Sequence, residues 1–234
     1  MHDERGIRRE WGVTMGSVLY LADRESPSFQ TGRSSVDVVC AGDSITGWNN
    51  IGEVEGWPFP TYPESLGRLC EPYGLTVANC GIAGEVSPNG IGQVRDYLEL
   101  FPNARYFVLG YGANDLDKWP EVEATSPRIV ENLDQMVEAI GHGGRTAILL
   151  GLLDVNGSML PREEAEDLHR RLAHHNDRLG RHCRERHIPL VEVWGKLRDE
   201  HFADPYHPNE EGARIIAEEV FRVLSGVREA GGSG

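Results

Sequence analysis

Short, nearly unbroken apolar runs alternate along this chain with stretches where apolar residues return every three or four positions. The runs are Val36 to Ala41 (closed by Gly42), Leu75 to Cys80, Arg105 to Tyr111, Thr146 to Leu153 and Ile188 to Trp194. Each is β-branched or aromatic-rich and bounded by Gly, Asn or Asp, which predicts a strand. Unbroken apolarity, rather than in–out alternation, predicts strands covered on both faces, as in a parallel sheet. Between them, Tyr62, Leu66, Leu69, Cys70 and Tyr73 share one helical face. Ile91, Val94, Leu98 and Phe101 share another, weakened at its start by Gly90 and Gly92. Ile129, Leu133, Met136, Val137 and Ile140 make a stripe stopped by Gly141. Ala165, Leu168, Leu172, Leu179 and Cys183 make the next, and the last runs from Ala213 to Leu224, stopped by Gly226. Strict alternation of strand and helix implies right-handed βαβ units and a three-layer α/β/α domain with a five-stranded parallel sheet.

Residues 1–35 stand outside this rhythm and are read as an N-terminal extension, residues 36–226 as the domain, and residues 227–234 as a flexible tail. Ser17 to Ala22 is a candidate strand of a hairpin on the domain edge, with a loosely attached extension as the alternative. The 234 residues suit one domain, and no apolar run is long enough to span a bilayer. The charged start, Met1 to Glu10, is unlike a signal peptide, which favours a cytoplasmic location, with secretion as the alternative. A net charge of −14 argues against nucleic-acid partners and against anionic membrane surfaces. The four cysteines form no CxxC pair, and Cys40 and Cys80 read as small core residues.

Ligands of an open parallel sheet bind beyond the carboxyl ends of its strands. The polar residues collect there. Gly42-Asp43-Ser44-Ile45 follows the first run, and Asn79 to Glu85 closes the second. Gly112-Ala113-Asn114-Asp115 follows the third, and Asp204-Pro205-Tyr206-His207-Pro208 follows the fifth. Ser44 needs a base to become a nucleophile, and His207 is the well-placed one, imidazole being the side chain suited to take up a proton near neutrality. Asp204, three residues earlier on the same loop, is spaced to hold the ring's tautomer. The Ser44 and Gly84 backbone N–H groups and the Asn114 side-chain amide are the natural donors for an oxyanion hole. Asp43 and Asp115 read as structural acceptors for local backbone N–H groups. A Gly-Asp-Ser or an Asp-x-x-His by itself is usually only a turn, so the weight rests on the four blocks together.

These blocks resemble the SGNH hydrolases, the GDSL lipase/esterase superfamily, whose four letters map in order onto Ser44, Gly84, Asn114 and His207. The resemblance spans roughly Val36 to Leu224. It implies a flavodoxin-like sheet of order 2-1-3-4-5, an acyl-enzyme mechanism and no metal or organic cofactor. It prefers Gly84 over Gly81 because the family's glycine immediately precedes a polar or acidic residue, here Glu85. The 35 residues before Val36 are a departure, since the serine block usually lies near the N-terminus.

The reading is therefore a hydrolase of short-chain acyl or acetyl esters acting on a small-molecule or acetylated-carbohydrate substrate, with oligomeric state open. The alternative is a non-catalytic small-molecule or carbohydrate-binding module on the same fold. A phosphate-binding flavodoxin relative is disfavoured because Asp43 puts a carboxylate where phosphate would sit. Trp48 and Asp154 are candidate pocket residues; Trp57, Phe59, Tyr62 and Trp119 serve equally well as pocket walls or as loop packing. His169, His174, His175, His182 and His187 fall in one helical stretch, but no carboxylate or cysteine completes a ligand set with them, so a metal site is not expected.

Overall fold

The computed structural model describes residues 18–47 and 60–231. Six parallel strands form one sheet: β1 (Val18–Tyr20), β2 (Val38–Gly42), β3 (Val77–Gly81), β4 (Tyr106–Gly110), β5 (Thr146–Leu150) and β6 (Leu190–Val191), in the order β1-β3-β2-β4-β5-β6. The helices are α1 (Pro27–Gly32), α2 (Ser44–Gly47), α3 (Tyr62–Cys70), α4 (Ser87–Leu100), α5 (Ala113–Lys118), α6 (Val122–Gly141), α7 (Arg162–Arg186) and α8 (Glu210–Gly231). Without β1, the order is the 2-1-3-4-5 that the resemblance implies.

Apolar runs become strands here because both faces are covered. Val39, Ala41, Ala78, Phe107 and Leu149 face α4, α6 and α7. Their neighbours Val38, Cys40, Val77, Val108 and Ile148 face α3 and α8. A period of two within continuously apolar segments thus supplies two separate cores, and the three layers follow. Among the described residues no helix is long and apolar enough to cross a membrane.

Three expectations need correction. The sheet has six strands, not five: Val18 to Tyr20 pairs in parallel with Val77 to Asn79 rather than forming a hairpin. The helix α1 between β1 and β2 returns the chain before β2, so the two strands run the same way. It also buries Phe29, which packs edge-on against Phe101 at 5.8 Å. The described part of the supposed extension is therefore built into the sheet and core. Helix α8 continues past Gly226 to Gly231. One glycine costs a helix only about 1 kcal/mol, and Arg228 beyond it lies over the Tyr73 ring. Finally, β5 ends at Leu150; Gly151 N–H still donates to Val191 C=O of β6 at 3.0 Å, and Leu152 and Leu153 leave the sheet. There the Asn176 side chain acts as the missing strand neighbour, accepting from Leu152 N–H at 2.8 Å and donating to Leu152 C=O at 2.9 Å.

The last residues of β2, β3 and β4 are glycines in one row, Gly42 beside both Gly81 and Gly110. A Cβ on Gly42 would lie 2.3 Å from Gly110 O, and one on Gly81 2.2 Å from Gly47 N. The bare rim lets α2 fold down onto the strand ends. Gly42→Ala is therefore expected to cost about 2–3 kcal/mol, since backbone on both sides resists displacement. Gly92→Ala, on an open helix surface, is expected to gain roughly 0.5–1 kcal/mol. Urea unfolding midpoints of the two variants check the contrast.

Candidate active site

Ser44 is the first residue of α2 at the centre of this rim. Asp43 N–H donates to Gly110 O at 3.2 Å, ending the strand, while Asp43 C=O accepts from Thr46 and Gly47 N–H at 3.1 and 2.9 Å, starting the helical turn. The Asp43 carboxylate accepts Ile45 N–H at 3.0 Å, the local role expected of it. Burial pushes this carboxyl from 3.8 up to about 7; the Ile45 bond opposes the shift and Asp115 adds to it. Between those values the folded protein holds a proton that the unfolded chain has lost. Stability from this group therefore falls as pH rises through that window, and the cost is complete above about 7. Asp43→Asn keeps an acceptor for Ile45 without the charge. Its urea midpoint is expected to gain on the wild type between about pH 5 and about pH 8.

His207 sits on a loop tied down at several points. Phe202 and Pro208 form an antiparallel bridge, and Ala203 N–H donates to His207 C=O at 2.9 Å. Asn156 N–H donates to Pro205 C=O at 2.8 Å, and its side-chain amide donates to Asp199 C=O at 3.1 Å. Asn209 accepts Gly212 N–H at the start of α8, and Gly212 packs so closely that a Cβ would lie 2.3 Å from His201 O. Asp204 Oδ1 accepts the N–H groups of Tyr206 and His207 at 2.8 and 2.7 Å. That leaves Asp204 Oδ2 aimed at His207 Nδ1, 2.8 Å away. On the other side of the ring, Nε2 is 2.9 Å from Ser44 Oγ, across 163 positions of sequence. With the proton on Nδ1 facing Asp204, Nε2 is free to accept from the serine hydroxyl.

Asn114 lies in the first turn of α5, after Gly112 at φ +129. Its amide donates to Glu85 C=O at 3.0 Å, leaving its second amide hydrogen for another acceptor. Asp115 reaches beyond its own turn: it accepts the Ser87 N–H at 2.9 Å and the Ser87 hydroxyl at 2.6 Å, joining α5 to α4. Its structural reading stands, but its partners lie 28 residues away. Gly84, at φ +76, is the third residue of the turn closed by Glu85 N–H to Ile82 C=O at 3.2 Å, a position that favours glycine. Of the two glycine candidates, Gly81 is the packing glycine and Gly84 the exposed turn glycine beside the Asn114–Glu85 contact. Sequence reasoning missed Glu85 as an organiser. Its carboxylate accepts Val86 N–H at 3.1 Å, Asn89 Nδ2 at 2.6 Å and Gln93 Nε2, and Gln93 in turn accepts the Tyr111 hydroxyl at 3.0 Å.

A cavity of about 250 Å³ opens against Ser44, Asn114 and His207. Asp154 lines it, with Oδ2 2.8 Å from His169 Nδ1 and Oδ1 accepting Val155 N–H. Gly84 is not among its walls, whereas Asp117 and Tyr206, which sequence reasoning did not select, are. Trp48, Trp57 and Phe59 lie outside the described residues. Tyr62 is fully buried in the core, and Trp119 is exposed on a separate groove with Arg128, so neither lines this cavity. The histidines of α7 disperse. His175 is buried with Nδ1 3.0 Å from Ser126 Oγ, and burial lowers its pKa to about 4. His182 pairs with Asp134 at 3.1 Å. Among the described residues no three His, Cys, Asp or Glu side chains group to hold a metal ion.

No curated protein matches the chain in sequence. Among solved structures, the fold is similar to a GDSL-like lipase from Bacteroides thetaiotaomicron, with a TM-score of 0.64 and 18% identity, covering 88% of this chain and 99% of that one. It is similar to a lipolytic G-D-S-L family protein from Veillonella parvula, with a TM-score of 0.60 and 19% identity, covering 81% and 98%. It is also similar to an acetylxylan esterase from Geobacillus stearothermophilus, with a TM-score of 0.63 and 17% identity, covering 82% and 94%. The family model for GDSL-like lipases and acylhydrolases matches residues 40–215, so the chain belongs to the GDSL-like lipase/acylhydrolase family.

Proposed function

We propose that the protein is a serine ester hydrolase that cleaves short-chain acyl or acetyl esters through an acyl-enzyme intermediate. Ser44 Oγ attacks the ester carbonyl while His207 Nε2 takes its proton. The carbonyl oxygen becomes an oxyanion, received by the Ser44 and Gly84 N–H groups and by the free amide hydrogen of Asn114. His207 then gives its proton to the departing alkoxide, and the alcohol leaves. Water repeats the cycle on the acyl-enzyme, with His207 again as base, releasing the acid and restoring Ser44. Asp204 keeps His207 in the tautomer that accepts from Ser44 and stabilises the imidazolium formed in each step.

The observation that carries this reading is the continuous line of hydrogen bonds from Asp204 through His207 to Ser44, at 2.8 and 2.9 Å, on the wall of a cavity. Phenylmethylsulfonyl fluoride tests it. The protein is expected to hydrolyse 4-nitrophenyl butyrate, to lose that activity at one reagent per chain, and to carry the sulfonyl mass on the peptide holding Ser44. A label elsewhere, with activity intact, would sink the reading.

A further inference from the structure

The chamber beside Ser44 is larger and greasier than an acetyl group requires. Beyond the ends of β4 and β5 it is floored by Leu150, Leu152 and Leu153 and walled by Leu168 and Leu172 of α7. A chain methylene fills about the space of one water molecule, roughly 30 Å³, so a cavity of about 250 Å³ holds a chain and not only a methyl. The rim has a different character. Asp154 and Asp117 line it, and among the described residues that line it there is no lysine or arginine. Asp154 is held in place there from both oxygens, by Val155 N–H at 2.9 Å and by His169 Nδ1 at 2.8 Å.

We propose that this leucine-lined chamber is the acyl pocket and that it selects neutral, unbranched acyl groups of about four to eight carbons over both acetyl and anionic acyl groups. The inference rests on the ester-hydrolase reading above and names the substrate class of the same site. The chemistry decides which half of the ester goes inside. The alcohol leaves first and water must then reach the same carbon, so the departing half belongs at the open mouth near the exposed Tyr206. The acyl half stays bonded to Ser44 through both steps and suits the end lined by the buried leucines. Each methylene removed from water there improves binding in the transition state by about fourfold. A carboxylate on the acyl chain would meet the rim carboxylates of Asp154 and Asp117, with no lysine or arginine among the described lining residues to offset its desolvation.

The test is a series of 4-nitrophenyl esters from acetate through dodecanoate, with the monosuccinate against the neutral butyrate. It is run on wild type, Leu168→Phe and Val155→Trp, with a second series of alkyl acetates from methyl to hexyl. Val155 is only half-buried at the rim, so its variant remains informative if Leu168→Phe fails to fold. The expected result is a kcat/KM that rises about 250-fold from acetate to hexanoate, four methylenes at about fourfold each, and falls by dodecanoate. The monosuccinate should be at least tenfold slower than butyrate, and either variant should shift the optimum shorter by two or more carbons. A profile highest at acetate, a monosuccinate cleaved as fast as butyrate, or variants that change only the alkyl-acetate series would each overturn the acyl assignment while leaving the hydrolase reading in place. Hydrolysis that persists undiminished in Ser44→Ala, or no hydrolysis of any ester by the wild type, would sink the hydrolase reading and this inference with it.

Discussion

Replacing Ser44 by alanine is expected to lower kcat on 4-nitrophenyl butyrate by about 10⁵–10⁶-fold, the scale on which a nucleophile and its base act as a unit. In the proposed mechanism the hydroxyl is the one group of the line that bonds to substrate carbon. The variant leaves His207 Nε2 facing a methyl group in place of the Ser44 hydroxyl. The side chain lies at a half-buried position and loses one hydrogen bond, so stability should change by no more than about 1 kcal/mol. His207→Ala should cost a similar factor, and the double variant should be no worse than either single one, because removing one member already stops the proton transfer. Residual activity above the uncatalysed rate, from the donors around the oxyanion, is expected to remain in all three. Equal initial rates for wild type and Ser44→Ala, with folding verified by circular dichroism, would end the proposal.

Asp204→Asn is expected to lower kcat by about 10⁴-fold with the loop intact. Asp204 has two separate duties. Its Oδ1 accepts two backbone N–H groups, and its Oδ2 accepts from His207 Nδ1. An amide has one oxygen. If that oxygen stays on the backbone donors, where two bonds reward it, the NH₂ group faces Nδ1 and forces the ring proton onto Nε2. His207 then offers Ser44 a donor where an acceptor is needed. KM and the unfolding midpoint should move little, since the loop's anchors through Asn156, Asn209 and the Phe202–Pro208 bridge are untouched. Asp204→Ala loses the loop bonds as well and should fall in both kcat and stability. A loss below tenfold in Asp204→Asn would show that the carboxylate does not set the tautomer.

Much of the site lay open in the chain because its members are short motifs at strand ends. Gly42-Asp43-Ser44, Gly112-Ala113-Asn114 and Asp204-Pro205-Tyr206-His207 each carry their chemistry within a few residues. What was misread has a common cause. Ser17 to Ala22 was readable as a strand, but not its direction or its neighbour: the parallel pairing of Val18 to Tyr20 with β3 belongs to the tertiary structure. Asp115 looks like any turn aspartate, yet its partner Ser87 belongs to another βα unit. Glu85 served in the sequence only to choose between two glycines, and its contacts with Asn89, Gln93 and Asn114 appear only once α4 and α5 converge. Leu152 and Leu153 read as the end of a strand, but the Asn176 side chain draws the chain out of the sheet to wall the cavity.

Local pattern was enough for the alternation of elements, the buried parallel sheet and the identity of the polar residues at its edge, because periodicity and turn chemistry act over a handful of neighbours. Distance was not available there. That Ser44 and His207 approach to 2.9 Å across 163 positions depends on a glycine row that lets α2 settle on the strand ends and on a loop pinned from several elements at once. The cavity's size and its leucine floor are likewise sums over β4, β5 and α7. Such quantities arise from packing between segments that are remote in the chain, and no window of sequence contains them.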